Sequence, residues 1–209
     1  MTYITYPHIN LYSESIIEDR DFLEIRAYAE EHDVPIMKVE SKEFLKTILR
    51  MKKPESILEI GTAIGYSALI FDKYTEAKIT TIELEEANAR KAIENFKKYN
   101  ADINLINDDA RKALNNINQG FDFVFIDANK AHYEEYFEQT AKMLNPNGII
   151  IADNVLFKGM VANDDLLDRR MITIVKRLRN FIAYVLDRDD FTSSLIPIGD
   201  GLTLSIKEK

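Results

Sequence analysis

The 209-residue chain contains no cysteine, few prolines and no long hydrophobic run. Without cysteine it can form neither a disulfide bond nor a thiolate metal site, which agrees with the reducing environment of the cytoplasm. No apolar segment approaches the length needed to cross a membrane, and residues 1–10 lack the charged-then-apolar order of a signal peptide. We therefore expect a cytoplasmic protein with no membrane partner.

Charge and hydrophobicity narrow the class further. Lys and Arg number 27 and Asp and Glu 35, a net charge of −8 that disfavours non-specific binding to nucleic acid. Hydrophobic residues make up 46% of the chain, which excludes a disordered protein. With no repeat or Pro/Gly-rich linker, we expect one domain over residues 1–209, with N-terminal helices in 1–53 and an α/β core in 54–209.

The most informative segment is residues 55–67, which read as a strand, a glycine turn and the start of a helix. In α/β proteins this order presents a nucleotide-like ligand at the carboxyl end of a strand. Gly61 and Gly65 are spaced Gly-x-x-x-Gly, unlike the Gly-x-Gly-x-x-Gly of dinucleotide binders, and Glu59 would repel a pyrophosphate. The acid suits a cationic ligand such as S-adenosylmethionine. The alternative is a strand-to-helix turn that binds nothing.

After this turn, strands and helices alternate, which predicts a mostly parallel sheet. Further strands are predicted at 79–84, 103–106, 121–126, 149–152, 193–198 and 202–206. One helix is predicted before the turn, at 41–51, and further helices are predicted after it, at 86–99, 111–117, 131–144 and 165–186. Asp200-Gly201 suits a tight hairpin turn, so the last strand should be antiparallel.

Acidic residues stand where successive predicted strands end: Glu59, Glu83, Asp127 and Asp153, with Asp109 just after the intervening strand. Each alone fits an ordinary turn or helix cap. The carboxyl ends of parallel strands share one edge of the sheet, so these acids should lie together. Like charges crowded there repel one another unless a cation is bound.

Position suggests a separate task for each acid. Glu83 lies 22 residues after Gly61, where an acid would reach ribose hydroxyls. Asp109 would lie beside an adenine amino group. Asp127, Asp153 and Asn154 form an all-oxygen set that suits a hard cation such as Mg²⁺. For Asp153-Asn154 the alternative is a turn whose side chains cap the backbone.

Three segments resemble the cation-dependent O-methyltransferases, which include catechol and caffeoyl-CoA methyltransferases. They are Leu-Glu-Ile-Gly-Thr-Ala-Ile-Gly-Tyr-Ser at 58–67, Phe-Ile-Asp-Ala-Asn-Lys-Ala-His-Tyr at 125–133 and Ala-Asp-Asn-Val-Leu-Phe-Lys-Gly at 152–159. Residues 35–40 and 197–202 resemble the family too. Among relatives, the chain looks most similar to bacterial tRNA methyltransferases that act on 5-hydroxyuridine at the wobble position.

The resemblance implies a class I S-adenosylmethionine methyltransferase: a Rossmann-like, mostly parallel, seven-stranded sheet with an antiparallel final strand and N-terminal helices. It also implies a homodimer, with which the apolar Phe22, Ile25 and Tyr28 are compatible. Matched positions imply that the cofactor contacts Val39, Glu59, Gly61, Ser67, Glu83, Asp109, Ala110 and Asp127. They imply that the metal binds Asp127, Asp153 and Asn154.

Two further residues follow from the resemblance. Met37 falls near the site of methyl transfer. Lys130 falls where some members have a lysine proposed as the base, and an exposed lysine at a helix start is the alternative. Asn129 departs from the plant members, which often carry an acid there, so their substrate preference does not transfer.

The acceptor is expected to present two neighbouring oxygens to the metal, which would lower the pKa of one hydroxyl. Catechols and 5-hydroxyuracil both satisfy this condition. We favour tRNA because the helix predicted at 165–186 carries Arg169, Arg170, Lys176, Arg177 and Arg179. With a second basic face at Lys42, Lys46 and Arg50, these residues would form a basic rim for phosphates.

The sequence is compatible with other interpretations. The basic side chains also fit charge scattered over the surface, and a small catechol also fits as the acceptor. A nicotinamide oxidoreductase is a second enzyme class, against which the glycine spacing and Glu59 speak. A non-catalytic S-adenosylmethionine-binding protein is a third, and the full set of oxygen ligands makes it the weaker hypothesis.

Overall fold

The computed structural model describes residues 7–208, in which helices precede and then alternate with strands. The helices are α1 Pro7–Ile16, α2 Leu23–Glu31, α3 Val39–Lys52, α4 Tyr66–Tyr74, α5 Glu86–Tyr99, α6 Ala110–Ala113, α7 Tyr133–Met143 and α8 Ile172–Leu186. The strands are β1 Ser56–Ile60, β2 Lys78–Glu83, β3 Ile103–Asn107, β4 Phe121–Ile126, β5 Leu144–Ala152, β6 Phe191–Ile196 and β7 Leu202–Lys207. None of the helices described is long and apolar enough to cross a membrane.

The strands form one seven-stranded sheet in the order β3-β2-β1-β4-β5-β7-β6. Neighbours among β1 to β5 are parallel, whereas β7 is antiparallel to both β5 and β6. The predicted mostly parallel sheet with an antiparallel final strand is therefore confirmed. The strand order reverses between β1 and β4, and such a reversal creates a crevice at the carboxyl ends of the strands.

Two apolar layers cover the sheet, one on each face. Along β4, Phe123 and Phe125 pack with α2 to α5, and Val124 and Ile126 pack with α7 and α8. All four are fully buried. This explains why residues 123–126 of β4 form a continuous apolar run, as expected for a parallel strand that is covered on both faces.

The glycine turn after β1 requires a residue without a side chain. Gly61 has φ +97°, and a Cβ atom there would lie 2.0 Å from the carbonyl oxygen of Asp127. The backbones that leave β1 and β4 therefore approach each other closely at the strand ends. This contact forms the floor of the crevice.

The long C-terminal helix starts later than predicted. α8 begins at Ile172, and two 3₁₀ turns, Asp164–Leu166 and Arg169–Met171, precede it. The side chains of Asn163 and Asp168 accept hydrogen bonds from the backbone at these turns, which competes with a continuous helix. From Val175 onward the apolar side chains of α8 are buried against α7 and the sheet.

Three other predicted boundaries were wrong. The β6–β7 connection spans residues 197–201 rather than the predicted 199–201, since the last pair of the ladder is Ile196 with Leu202. The helix predicted at 111–117 ends at Ala113 and continues as a 3₁₀ turn, and β5 begins at Leu144 rather than 149. Pro197 has no backbone N–H to donate, which explains why the pairing of β6 with β7 ends at Ile196.

The basic face predicted on α3 does not exist as such. Lys42 is 1% exposed and contacts the carboxylates of Asp19 and Asp21. Lys46 forms an ion pair with Glu43. The sequence places the two aspartates far from α3, so their pairing with Lys42 depends on the packing of the N-terminal helices.

Candidate active site

A cavity of about 280 Å³ opens at the carboxyl ends of β1, β4 and β5. Its walls come from residues 35–37, the glycine turn and the start of α4, residues 127, 128 and 130, and Asn154. Among the residues predicted to be functional, it brings together Met37, Gly61, Ser67, Asp127, Lys130 and Asn154. These residues come from distant parts of the chain and meet only because the strand order reverses at this point.

Asp127 and Asp153 directly follow β4 and β5 and extend the backbone pairing of the sheet by one residue. The Asp127 N–H donates to the Ile60 carbonyl at 2.9 Å, and the Asp153 N–H donates to the Ile126 carbonyl at 2.9 Å. Asn154 adopts φ +59°, and its Nδ2 donates to Oδ1 of Asp127 at 2.9 Å. The three side chains are thus held at one edge of the sheet.

The electrostatics of this set favour a cation. Burial raises the pKa of Asp153 well above its usual value, and the charge of Asp127 raises it further. Burial also raises the pKa of Asp127, while Lys130 and the Asn154 hydrogen bond oppose that increase. Two desolvated carboxylates beside an amide fit a hard divalent ion. Within residues 7–208 no three His, Cys, Asp or Glu side chains converge on a metal site, so the set depends on the amide of Asn154.

Glu83 holds the glycine turn in place. Its Oε2 accepts a hydrogen bond from the Ala63 N–H at 2.7 Å, and its Oε1 accepts one from the Glu85 N–H at 2.8 Å. The side chain is buried at the end of β2. Each oxygen keeps a lone pair, so the carboxylate can still accept hydrogen bonds from a ligand.

Glu59 lies on the buried strand β1 and is fully inaccessible. Burial raises its pKa to about 7, and the charges of Asp127 and Glu83 add to the increase. Thr81 donates a hydrogen bond to its Oε2. The Ser67 hydroxyl also lowers the pKa of Glu59 and so favours the charged carboxylate. Within residues 7–208, Oε1 of Glu59 has no hydrogen-bond partner of ordinary geometry.

Asp109, Ala110 and Val39 lie outside the cavity lining. The Asp109 side chain caps α6 by accepting from the Arg111 N–H at 2.9 Å, and it pairs with the Arg111 guanidinium. This arginine lowers the pKa of Asp109 to about 2. Ala110 is buried at the start of α6, and Val39 begins α3 next to the wall formed by residues 35–37.

The arginines predicted to contact the acceptor have different environments. Arg169 and Arg170 are exposed in the 3₁₀ turn before α8. Arg177 donates to the Ala131 carbonyl, and Arg179 pairs with Asp164. The predicted basic rim is therefore smaller than the sequence indicated, because two of the five basic side chains of the helix predicted at 165–186, Arg177 and Arg179, fasten loops to α8.

Asp200 is a residue of this region that sequence reasoning did not assign to the site. Its Oδ1 accepts a hydrogen bond from the Lys158 N–H at 2.6 Å, and its backbone carbonyl accepts one from the Leu156 N–H at 3.0 Å. Its charge raises the pKa of both Asp127 and Asp153. The segment 197–202 resembled the family, and its Asp-Gly pair was the available signal.

The fold and this crevice define a class I methyltransferase. The family model described as O-methyltransferase matches residues 12–208. The chain belongs to this family and is an S-adenosylmethionine-dependent O-methyltransferase.

The chain is similar to the caffeoyl-CoA O-methyltransferase of Populus kitakamiensis, with 31% identity over 79% of this chain and 75% of that one. It is also similar to two solved structures. The methyltransferase PaMTH1 of Podospora anserina, bound to S-adenosylhomocysteine, is 25% identical, with a TM-score of 0.87 over 100% of both chains. The O-methyltransferase TomG of Streptomyces achromogenes, in complex with S-adenosylmethionine, is 26% identical, with a TM-score of 0.81 over 97% of this chain and 96% of that one.

Proposed function

We propose that this enzyme is a divalent-metal-dependent O-methyltransferase that acts on a hydroxyl next to a second oxygen, and that its acceptor is 5-hydroxyuridine at the wobble position of tRNA. The observation that carries the proposal is the convergence of Asp127, Asp153 and Asn154 beside the cavity behind the glycine turn. Asp127 and Asn154 line that cavity, and Asp153 lies buried behind them.

The oxygens of Asp127, Asp153 and Asn154 would hold the cation. A bound divalent cation supplies charge that lowers the pKa of a hydroxyl and fixes its oxygen. The amide of Asn154 currently turns its nitrogen toward Asp127, and a half-turn about its last bond would present the oxygen instead. The fit therefore needs no change in the backbone.

The remaining side chains align the two reactants. The methyl group moves from the sulfonium to the acceptor oxygen, and the acceptor hydroxyl loses its proton. Met37 and the start of α4 both line the cavity, where side chains can hold the reactants in line. Lys130 lines the cavity, where it would stabilise the developing oxyanion or accept the proton. Lys130→Arg separates these roles, because arginine keeps the charge and cannot act as the base.

Two observations support a large anionic acceptor. Lys130 also lines a second cavity of about 180 Å³, together with Glu134, Arg177 and Asn180, so the site continues toward α8. Arg169 and Arg170 lie exposed before that helix. An extruded base with flanking phosphates would use this kind of surface. The similarity to caffeoyl-CoA O-methyltransferases favours a small acceptor as the second candidate.

The decisive experiment compares acceptors in the presence of labelled S-adenosylmethionine and Mg²⁺. We expect label in tRNA that carries 5-hydroxyuridine, and reversal of Arg169 and Arg170 to Glu should reduce that rate about tenfold or more and flatten its salt dependence. The rate with a catechol should change less than about twofold, since no phosphate is involved.

Lys78→Glu with Lys97→Glu is the matched control. These two exposed lysines begin β2 and lie in the last turn of α5, which places them at the opposite edge of the sheet. Label in a catechol but not in tRNA would select the small-molecule alternative. Equal losses on both acceptors would show that the arginines support the fold.

We also propose a homodimer. Ile25 is buried in the core and Phe22 and Tyr28 pack against it, so these predicted contact residues are already used within the monomer. Instead α1 exposes Ile9, Leu11, Tyr12 and Ile16, which are between 47% and 66% accessible. Light scattering at micromolar concentration should give twice the monomer mass of 24.1 kDa, and the monomer mass would exclude the dimer.

A further inference from the structure

Buried charged side chains connect the α1–α2 segment to α3 and α4. Lys42 of α3 is 1% exposed, and its Nζ contacts Asp19 and also Oδ2 of Asp21, the latter at 2.9 Å. The two aspartates are themselves almost inaccessible, with side chains 8% and 7% exposed. None of these three residues belongs to the metal set or to the lining of the cavity.

The two aspartates differ in what else they contact. Asp19 pairs with Arg26 and lies 3.4 Å from the hydroxyl of Tyr66. Asp21 pairs with Lys73 at 2.6 Å and accepts a hydrogen bond from the Tyr74 hydroxyl at 3.0 Å. Both therefore share Lys42 and both have a second cation and a phenol as partners.

Their phenol partners lie at opposite ends of α4. Tyr66 is the first residue of the helix and Tyr74 is the last, which separates them by about 12 Å along the axis at 1.5 Å per residue. Tyr66 lines the cavity, and the next residue, Ser67, also does. Tyr74 lines a different cleft, beside the amino ends of the strands. Only Asp19 is therefore connected to the active-site end of α4.

The segment that carries Asp19, residues 17–38, also supplies part of the cavity wall. After α2 it continues through Pro35, Ile36 and Met37, all of which line the cavity. Farther along, Lys38 donates to the Gly199 carbonyl at 3.4 Å. Residues 17–38 are thus held near both ends: Asp19 contacts Tyr66 near the first end, and Lys38 contacts Gly199 at the last.

We propose that Asp19 is a positioning residue for cofactor binding, which acts through Tyr66. It fixes the start of α4 against the segment that leads to residues 35–37, so that these two parts of the cavity wall keep one separation. Asp21 performs the matching structural task at the far end of α4 and does not affect the cavity.

Asp19→Asn and Asp21→Asn form a matched pair, because each removes one buried negative charge beside Lys42 and leaves the other. We expect similar losses of unfolding free energy in urea for both variants. The dissociation constant for S-adenosylhomocysteine, measured by calorimetry, should rise about tenfold for Asp19→Asn, which corresponds to about 1.4 kcal/mol. It should stay within about threefold of the wild type for Asp21→Asn, since the contacts it loses lie away from the cavity. Equal effects on binding would overturn the proposal.

Tyr66→Phe tests the connection by a route that keeps the buried charges. It should weaken S-adenosylhomocysteine binding in the same direction, and Asp19→Asn in that background should add little, because coupled residues are not additive. Fully additive losses would contradict a path through Tyr66. If Asp19→Asn does not fold, an unchanged dissociation constant for Tyr66→Phe alone would contradict it as well.

Discussion

Glu59→Gln should make the ligand-free protein more stable above neutral pH. The side chain of Glu59 is inaccessible, and burial raises its pKa from 4.5 to about 7. Glutamine has nearly the same shape and remains neutral at every pH. The substitution therefore removes the cost of a buried charge and keeps the packing of β1.

The magnitude follows from the shift in pKa. The pKa of Glu59 rises from 4.5 to about 7, and because a tenfold change in proton affinity corresponds to about 1.36 kcal/mol, the buried charge costs about 3 kcal/mol. The folded protein binds this proton more tightly than the unfolded chain does. Its contribution to stability is therefore complete below pH 4.5, is lost as the pH rises to 7, and stays lost above that.

Urea unfolding between pH 4.5 and 8.5 measures the effect as a difference between variant and wild type. The difference should be near zero at the acid end and about 3 kcal/mol in favour of the variant at pH 8. Glu55→Gln is the control, because Glu55 is exposed one residue before the same strand, and its difference should stay flat. A difference for Glu59→Gln that does not change with pH would refute the reasoning.

The same substitution should weaken binding of S-adenosylmethionine, whose ammonium and sulfonium groups favour a nearby carboxylate. Calorimetry at pH 8 should show a higher dissociation constant for the variant than for the wild type. Increased stability combined with weaker binding would mark Glu59 as a residue kept for function at a cost in stability. Unchanged affinity would show that the acid does not face the cofactor.

Two further substitutions distinguish cofactor binding from metal binding. Glu83→Gln should raise the dissociation constant for S-adenosylhomocysteine by about ten- to a hundredfold, since hydrogen bonds to a charged group contribute roughly 1.5–3 kcal/mol. An unchanged dissociation constant would mean that Glu83 only accepts hydrogen bonds from Ala63 and Glu85. Asp153→Ala should abolish turnover and keep S-adenosylhomocysteine affinity within about threefold, and EDTA should reproduce the loss of turnover. Full activity in EDTA, with metal removal verified, would exclude the metal mechanism.

Local patterns in the sequence were sufficient for the sheet. A parallel strand covered on both faces is expected to be mostly apolar, and residues 123–126 of β4 and, apart from Glu59, residues 57–60 of β1 fit this pattern. Residues that end or directly follow parallel strands must lie at one edge of the sheet, so the positions of Glu83, Asp127 and Asp153 follow from chain order alone. The location of Gly61 at the same edge was predictable for the same reason, because it comes directly after β1.

Tertiary packing decided which basic side chains form ion pairs or hydrogen bonds with other segments. Lys42 lies on a helix whose pattern reads as a solvent-exposed basic face, yet Asp19 and Asp21 neutralise it from a separate segment. Arg177 and Arg179 read as surface charge and instead hold loops at Ala131 and at Asp164. No periodicity reports such pairings, because they join residues whose separation in the sequence carries no information about their distance in the fold.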